Sequence, residues 1–178
     1  MPKQVTDQTD RTDPTEIRVI ANMVVGADGC TTLNGSSAGL SSPEDRIRFH
    51  ALRTSADYIV IGGNTARKEP YLKTPVPLIV LTRGELPQEV APNPRASKFN
   101  GPIREVLATL RGVVLIEAGP AIVTDALNEK LIDELHVTLT KNTTGENCIN
   151  LIEITDGYKE IFREVVGNEE FITFTPLK

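Results

Sequence analysis

The stretch Val113-Val114-Leu115-Ile116-Glu117-Ala118-Gly119-Pro120 decides how the fold is interpreted. A short apolar run typical of a buried strand leads into a Gly-Pro turn, and a helical pattern follows over residues 121–130. Backbone N–H groups at a helix start are unpaired and partly positive, so such a turn can hold a phosphate. Gly119 lacks a Cβ and lets a ligand approach the backbone, while Pro120 suits the first helical position. An ordinary strand-to-helix connection would use the same residues.

The alternation of strand and helix continues on both sides of this turn. Hydrophobic patterns predict strands over residues 17–25, 58–61, 76–81, 113–116 and 132–140. Helices are predicted over residues 42–54, from 64 or 65 onward, and over 103–110 and 121–130. Segments 162–166 and 171–175 flank Gly167-Asn168, which is a hairpin signal. The chain is therefore expected to be an α/β protein with a mainly parallel central sheet and a C-terminal antiparallel hairpin.

The sequence predicts three further features of the first long helix and of two loops. Ser42 is expected to cap the first long helix, with Ile47, Ala51 and Leu52 on its inner face. Residues 26–40 are rich in Gly, Ser, Thr and Asn and are predicted to form a long functional loop. Residues 84–101 carry three prolines and are also predicted to be a loop.

Length and composition limit the classes of protein. A chain of 178 residues suits one domain, predicted over residues 17–178 behind a disordered tail at 1–16. No apolar run approaches the ~18 residues that span a bilayer, and the N-terminus lacks the apolar core of a signal peptide. A cytoplasmic protein without a membrane partner is expected. The net charge of −5 and the lack of a basic block argue against nucleic-acid binding.

The cysteines and histidines give no metal-site signal. Cys30 and Cys148 stand far apart without a CxxC motif, so neither a zinc site nor a disulfide framework is expected. His50 falls in a helical pattern and His136 in a strand pattern. Histidines in such settings more often serve packing or lie on the surface than act as catalysts.

Four segments are expected to meet where the parallel strands end. In an open α/β sheet, ligands bind outside the carboxyl ends of the strands. The segments are residues 26–40, 62–65, 81–84 and 117–120. Two are glycine turns that open helices, and one presents Thr82 and Arg83, whose hydroxyl and guanidinium can bind a phosphate. They resemble a dinucleotide cradle, although the chain has no G-x-G-x-x-G fingerprint.

Several of these motifs resemble the reductase domain of bacterial riboflavin biosynthesis. They are Ala21-Asn22-Met23-Val24, Asp28-Gly29, Leu40-Ser41-Ser42-Pro43-Glu44-Asp45, Ala51-Leu52-Arg53, Gly62-Gly63-Asn64-Thr65-Ala66-Arg67, Glu117-Ala118-Gly119-Pro120 and Leu131-Ile132-Asp133-Glu134-Leu135. The resemblance implies a three-layer fold like that of dihydrofolate reductase and a homodimer. It also implies an NADPH-dependent reduction of a phosphoribosylamino-pyrimidine, 5-amino-6-(5-phosphoribosylamino)uracil or its relative before deamination. The zinc deaminase motif that many relatives carry is absent from the sequence.

The resemblance also distributes roles among the residues at the strand ends. Asp28 and Glu117 are the catalytic candidates. A carboxylate at Asp28 could hydrogen-bond the pyrimidine or assist proton delivery. Glu117 ends a buried strand, where an unpaired charge would be costly, so a ligand or backbone partner is expected for it. Substrate contacts are expected from Asn22, Ser41 and Arg67. The cofactor candidates are Gly63, Thr65, Thr82, Arg83, Ala118, Gly119 and Pro120. Thr82 and Arg83 are expected to meet the extra phosphate that distinguishes NADPH from NADH. Thr65 could instead cap a helix.

Two alternatives stay open at this point. A dihydrofolate reductase is compatible with the Pro-Glu-Asp helix, the Gly-Gly-Asn-Thr turn and the Leu-Thr-Arg strand end, although the chain has no Trp and only five Phe. The other alternative is a non-catalytic protein of the same fold that binds a nucleotide or a partner. Ala118, in place of a second glycine, and the short stretch between Arg83 and Val113 favour that alternative.

Overall fold

A computed structural model describes residues 16–178, so the predicted tail lies, except for Glu16, outside the described residues. Eight strands form one sheet in the order β5-β4-β3-β6-β1-β7-β10-β9, and β2 and β8 form a small second sheet. The strands are β1 (Ile17–Val25), β2 (Cys30–Thr32), β3 (Tyr58–Gly62), β4 (Leu78–Leu81), β5 (Ala96–Phe99), β6 (Gly112–Ile116), β7 (Glu134–Leu139), β8 (Glu146–Cys148), β9 (Tyr158–Val166) and β10 (Glu169–Pro176).

The large sheet is parallel from β5 to β7 and antiparallel at β10 and β9, which confirms the predicted fold class. β1 lies in its middle, with Ile20 beside Leu115 of β6 on one side and Glu134 of β7 on the other. β1 is hydrogen-bonded on both edges, and seven of its nine residues are apolar, as is typical of a strand that is covered on both faces.

Helices cover both faces of the sheet. They are α1 (Pro43–Ser55), α2 (Gly63–Lys68), α3 (Ile103–Thr109), α4 (Pro120–Asn128) and α5 (Leu151–Ile154), with a 3₁₀ turn at Ser37–Gly39. Successive side chains of a strand point to opposite faces. In β3, Val60 therefore packs with α3, α4 and α5, whereas Ile59 and Ile61 pack with α2 and the chain segment around Tyr71. The molecule has the predicted three layers.

The first long helix begins as predicted but buries a different face. The Ser42 side chain accepts a hydrogen bond from the Asp45 backbone N–H at 3.0 Å, so Ser42 is the cap. Ile47 is 70% exposed and Ala51 is also exposed, so the prediction that they face inward is wrong. The inner face carries Asp45, with Phe49, Leu52 and Arg53 partly buried. This stripe mixes polar and apolar residues, so hydrophobicity alone does not locate it.

Both predicted loops contain short strands. Segment 26–40 includes β2 and the 3₁₀ turn, and segment 84–101 includes β5 at the edge of the large sheet. α2 begins at Gly63 with Gly62 as its cap residue, so Thr65 is not a helix cap. No helix within residues 16–178 is long and apolar enough to cross a membrane.

The prediction that the two cysteines form no disulfide is wrong. Cys30 of β2 lies directly opposite Cys148 of β8, and a disulfide joins them. The two residues are 118 positions apart, and nothing in their spacing shows that antiparallel strands bring them together. Within the described residues, no group of three or more His, Cys, Asp or Glu side chains is placed to hold a metal ion.

Candidate functional site

A cavity of about 1010 Å³ opens at the carboxyl ends of β1, β3, β4 and β6. This is the position that the parallel sheet predicts for a ligand. Eleven of the twelve predicted site residues line it, and only Asp28 does not. The eleven are Asn22, Ser41, Gly63, Thr65, Arg67, Thr82, Arg83, Glu117, Ala118, Gly119 and Pro120. Segments that are far apart in the sequence therefore form one concave surface.

The turn at Gly119 presents bare backbone to the cavity. Gly119 precedes α4 with φ −63° and ψ 167°, a conformation open to any residue, and no side chain caps this helix. A Cβ at Gly119 would meet no protein atom within 4 Å. The open space beside the first turn of a nine-residue helix is therefore available to an anionic group of a ligand.

A second group of predicted residues converges at the end of β3 and β4. A Cβ built on Gly63 would lie 3.3 Å from the Thr82 hydroxyl oxygen and 3.4 Å from Arg67 Nη1. Arg67 also donates a hydrogen bond to the Asn64 side chain at 3.2 Å, and Arg83 is exposed on the same rim. Arg67, a predicted substrate contact, therefore stands beside Gly63 and Thr82, which are predicted to bind the cofactor.

Glu117 is buried and fully partnered by side chains. Arg53 donates from Nε at 2.8 Å and from Nη2 at 2.7 Å, one bond to each carboxylate oxygen. The Tyr71 hydroxyl donates to the same carboxylate at 2.7 Å. The sequence analysis expected a ligand or backbone partner for this buried charge, and the partners are instead these two side chains. Because Arg53 and Tyr71 lie in other segments, no local pattern could identify them.

Burial and the Glu117 carboxylate together set the protonation of this network. Burial disfavours the charged Arg53 guanidinium, but the hydrogen bonds and charge of Glu117 outweigh it and raise the Arg53 pKa. Burial and the same carboxylate raise the pKa of Tyr71 well above its ordinary value. At neutral pH Arg53 is therefore a cation and Tyr71 a neutral phenol. The guanidinium also lies over the Phe49 ring, 4.2 Å from its centroid.

Asp28 lies outside the cavity in the loop before β2. One carboxylate oxygen accepts from the Cys30 backbone N–H at 3.0 Å, and the other accepts from Gly145 N–H at 2.8 Å. The carboxylate thus joins the loop after β1 to the segment before β8. This geometry gives Asp28 a structural role and offers no support for its predicted catalytic role.

Ser41 stands beside Asp45 on another wall of the cavity, and Asp45 is not among the predicted site residues. The Ser41 hydroxyl donates to the carboxylate of Asp45, which is only 5% exposed and lines the cavity. The second carboxylate oxygen accepts from the Thr138 hydroxyl at 2.6 Å. Asn22, on β1, lines the same cavity. The sequence gives no sign that Asp45 lines the cavity, because an acidic residue in the first turn of a helix is expected there anyway.

The small β2–β8 sheet forms one side of the cavity, where Thr31, Thr32 and Asn147 line it. The loop after β2 is held from the other side by Glu69, which accepts from the Ser37 backbone N–H at 2.7 Å and from the Ser36 hydroxyl. Sequence analysis expected function in this loop but could not pair it with β8.

The family model described as the RibD C-terminal domain matches residues 18–152 of this chain. No curated protein matches. Among solved structures, RibD of Acinetobacter baumannii superposes with a TM-score of 0.73 at 16% identity, covering 92% of this chain and 59% of that one.

Two further structures show the same fold. A diaminohydroxyphosphoribosylaminopyrimidine deaminase/5-amino-6-(5-phosphoribosylamino)uracil reductase from Thermotoga maritima gives a TM-score of 0.71 at 15% identity, covering 91% of this chain and 57% of that one. Dihydrofolate reductase from Enterococcus faecalis, complexed with NADP(H), superposes with a TM-score of 0.68 at 19% identity, covering 90% of this chain and 97% of that one. The chain thus spans rather more than half the length of the A. baumannii and T. maritima proteins.

Proposed function

The chain belongs to the RibD C-terminal domain family, and from that premise we propose that it is an NADPH-dependent reductase of a phosphoribosylamino-pyrimidine. The observation that carries the proposal is the cavity at the strand ends, where bare backbone at Gly119 faces a rim that carries Arg67, Thr82 and Arg83. Such a surface suits a long ligand with separated phosphates. The cavity volume of about 1010 Å³ leaves room for a cofactor and a small substrate together.

The residues around the cavity fit a nicotinamide dinucleotide. Its pyrophosphate would lie against the open turn at Ala118-Gly119-Pro120, and its adenosine phosphate would meet Thr82 and Arg83. The neighbouring Arg67 would add positive charge on the same side. When bound, NADPH supplies a hydride for the carbon of the C=N bond in the opened sugar, while a proton goes to nitrogen and NADP⁺ is left.

The buried network would position the substrate rather than exchange protons with it. Both oxygens of Glu117 are occupied, and Tyr71 keeps its proton. Arg53 uses Nε and Nη2 on Glu117, whereas Nη1 makes no hydrogen bond to any described residue and is available to a ligand oxygen. Glu117 would therefore act by orienting Arg53 at the cavity wall.

NADPH binding is the direct test. A ligand that binds only the folded protein stabilises it by about 2.7 kcal/mol at a hundredfold excess over its Kd. We expect millimolar NADPH to raise the melting temperature, and NADH to raise it less because it lacks the phosphate that Thr82 and Arg83 would bind. Calorimetric titration with both cofactors gives the affinities. No stabilisation by either cofactor would contradict the proposal and favour a non-catalytic protein of this fold.

Dihydrofolate reductase is the second candidate, because the E. faecalis enzyme superposes along 97% of its length. NADPH oxidation is therefore to be followed with the phosphoribosylamino-pyrimidine and with dihydrofolate in parallel. Turnover of dihydrofolate without turnover of the pyrimidine would favour dihydrofolate reductase. A homodimer in the cytoplasm is proposed from the family resemblance, and light scattering on the purified protein tests the oligomeric state.

A further inference from the structure

The disulfide between Cys30 and Cys148 joins the two short strands that form one wall of the cavity. Cys30, in β2, is only 4% exposed, whereas Cys148, in β8, is exposed to solvent. Exposed disulfides are the ones that thiols reduce readily, and disulfides in the cytoplasm are more often transient or regulatory than structural. The bond is therefore open to attack from the Cys148 side.

β8 depends on its pairing with β2 for its position. Its three residues, Glu146, Asn147 and Cys148, are all exposed, so none of them is anchored in the hydrophobic core. The pairing sets Cys148 opposite Cys30 and Glu146 opposite Thr32. An isolated two-stranded sheet is marginally stable in water, and this one has three residues in each strand. The disulfide is therefore a main constraint on β8.

Asn147, in the middle of β8, has a φ of 57°, in the left-handed region that residues other than glycine seldom adopt. Such a conformation persists where the surrounding structure holds it in place. The Thr31 hydroxyl donates to the Asn147 carbonyl oxygen at 2.9 Å, and the Asn147 amide donates to the Thr32 hydroxyl at 2.8 Å. All three residues line the cavity, so a movement of β8 would change the lining directly.

The same wall is connected to the helix that carries cofactor candidates. Glu69 follows α2 and accepts hydrogen bonds from Ser36 and Ser37, in the loop after β2. α2 itself presents Gly63 and Thr65 to the cavity. Loosening of β2 and β8 would therefore reach the place where the cofactor is proposed to bind.

We propose that Cys30 and Cys148 are a reversible thiol–disulfide site that closes and opens this wall, and that the disulfide form binds NADPH more tightly. The second part rests on the proposed reductase function. A thiolate of a dithiol reductant attacks the exposed Cys148 sulfur, and the Cys30 sulfur leaves. The second thiolate of the reductant then displaces the Cys148 sulfur. The dithiol becomes a disulfide, and its two electrons and two protons end on the cysteines. An oxidised dithiol reverses the exchange.

Hydrogen exchange without any ligand tests whether the wall opens. In the disulfide form the Ile149 backbone N–H donates to the Gly29 carbonyl oxygen at 2.8 Å. After reduction by dithiothreitol, residues 145–149 should exchange at least tenfold faster, and thiol titration should find two thiols per chain. β10, which is paired on both edges, should be unchanged. Unchanged exchange at 145–149, or a bond that dithiothreitol does not reduce in the folded protein, overturns the proposal. Faster exchange in β10 as well overturns a local switch.

Calorimetric titration of the oxidised and reduced wild-type protein tests the effect on NADPH. We expect the Kd to be at least fivefold higher after reduction, the lower end of the range for coupled sites. By linkage, saturating NADPH should make reduction of the disulfide less favourable by the same factor. Equal Kd values overturn the control of binding and leave the reductase function standing. Binding by neither form contradicts the reductase function and the effect on NADPH together, while hydrogen exchange decides separately whether the wall opens.

The variant Cys30→Ala/Cys148→Ser tests the two residues themselves, because it cannot form the bond. It should bind NADPH with the Kd of the reduced wild-type protein, and dithiothreitol should not change that value. The same reductant on this variant controls for effects away from the cysteines. A variant that binds like the oxidised wild-type protein would show that the disulfide does not control the cavity. If the variant does not fold, the two forms of the wild-type protein still give the comparison.

Discussion

Gly119 is the residue at which ligand binding and stability can be separated. Its backbone angles are open to any residue and a Cβ would meet no protein atom, so Gly119→Val should fold with almost unchanged stability. The valine side chain would occupy the space proposed for the pyrophosphate. We expect NADPH affinity to fall at least tenfold while the melting temperature without ligand changes by only a few degrees. Calorimetric titration and thermal unfolding measure the two effects.

A matched control is Ala108→Val, which adds the same bulk to the exposed side of α3, away from the cavity. It should leave NADPH affinity as it is. Unchanged affinity in Gly119→Val would show that the pyrophosphate lies elsewhere.

Replacing Arg53 alone is expected to lower the free energy of unfolding more than replacing both Arg53 and Glu117. Arg53→Met leaves the Glu117 carboxylate, whose side chain is 2% exposed, without its cation. Breaking a buried pair by removing one partner costs about 3–5 kcal/mol, whereas apolar replacement of both is often far less damaging. The free energy of unfolding in urea should therefore be lower for Arg53→Met than for Arg53→Met/Glu117→Met. Additive losses would contradict a coupled pair.

At the residue scale, the sequence identifies residues of the site more readily than it identifies the side chains and backbone groups that bind them. Glu117 could be selected because it ends an apolar run, where an unpaired charge is unfavourable. Its partners lie 46 and 64 residues away and are brought to it by folding. Asp28 was selected from a resemblance, yet its carboxylate binds the backbone of a segment 117 residues away.

At the scale of elements, β1 and β7 are joined by an acid-sensitive contact. Glu134 of β7 lies 3.0 Å from His136 Nε2 and pairs with Arg18 of β1. The hydrogen bond with His136 and the pairing with Arg18 lower the pKa of Glu134 from 4.5 to about 2. Because the Glu134 carboxyl has a lower pKa in the folded protein than in the unfolded chain, its ionised form stabilises the fold at pH values above about 4.5. This contribution is lost as the pH falls from about 4.5 toward 2.

The comparison of wild type with Glu134→Gln measures this contribution. Wild type should exceed the variant in free energy of unfolding at pH 6, and the difference should shrink as the pH approaches 2. Glu105→Gln, on the exposed face of α3, is the control. A difference that stays constant with pH would mean that Glu134 stabilises the fold by packing alone.

Elements with a clear apolar pattern or helix cap were predicted well, and short strands without an apolar run were missed. β1 and the hairpin strands carry enough periodicity to be recognised, and α1 has a clear cap. β5, in contrast, has four residues, of which Ser97 and Lys98 are exposed, so it shows no hydrophobic run. β2 and β8 have three residues each and are strands only because they pair with one another.

At the scale of the whole molecule, the sheet could be predicted because strand–helix alternation leaves few arrangements for a parallel sheet. The site could be located for the same reason, since the ends of parallel strands meet at one edge. The wall formed by β2 and β8 could not be predicted, because their pairing depends on the path of a long loop. Hydrophobic pattern does not encode such a path.

The disulfide between Cys30 and Cys148 has a consequence for the covalent topology of the molecule. It closes a ring that contains β3, β4, β5, β6 and β7, while the segment before β2 and the final hairpin leave the ring as two arms. A protease that cuts once within residues 84–95 would open the ring without dividing the molecule. The nicked protein should run as one species in a non-reducing gel and as two fragments after reduction.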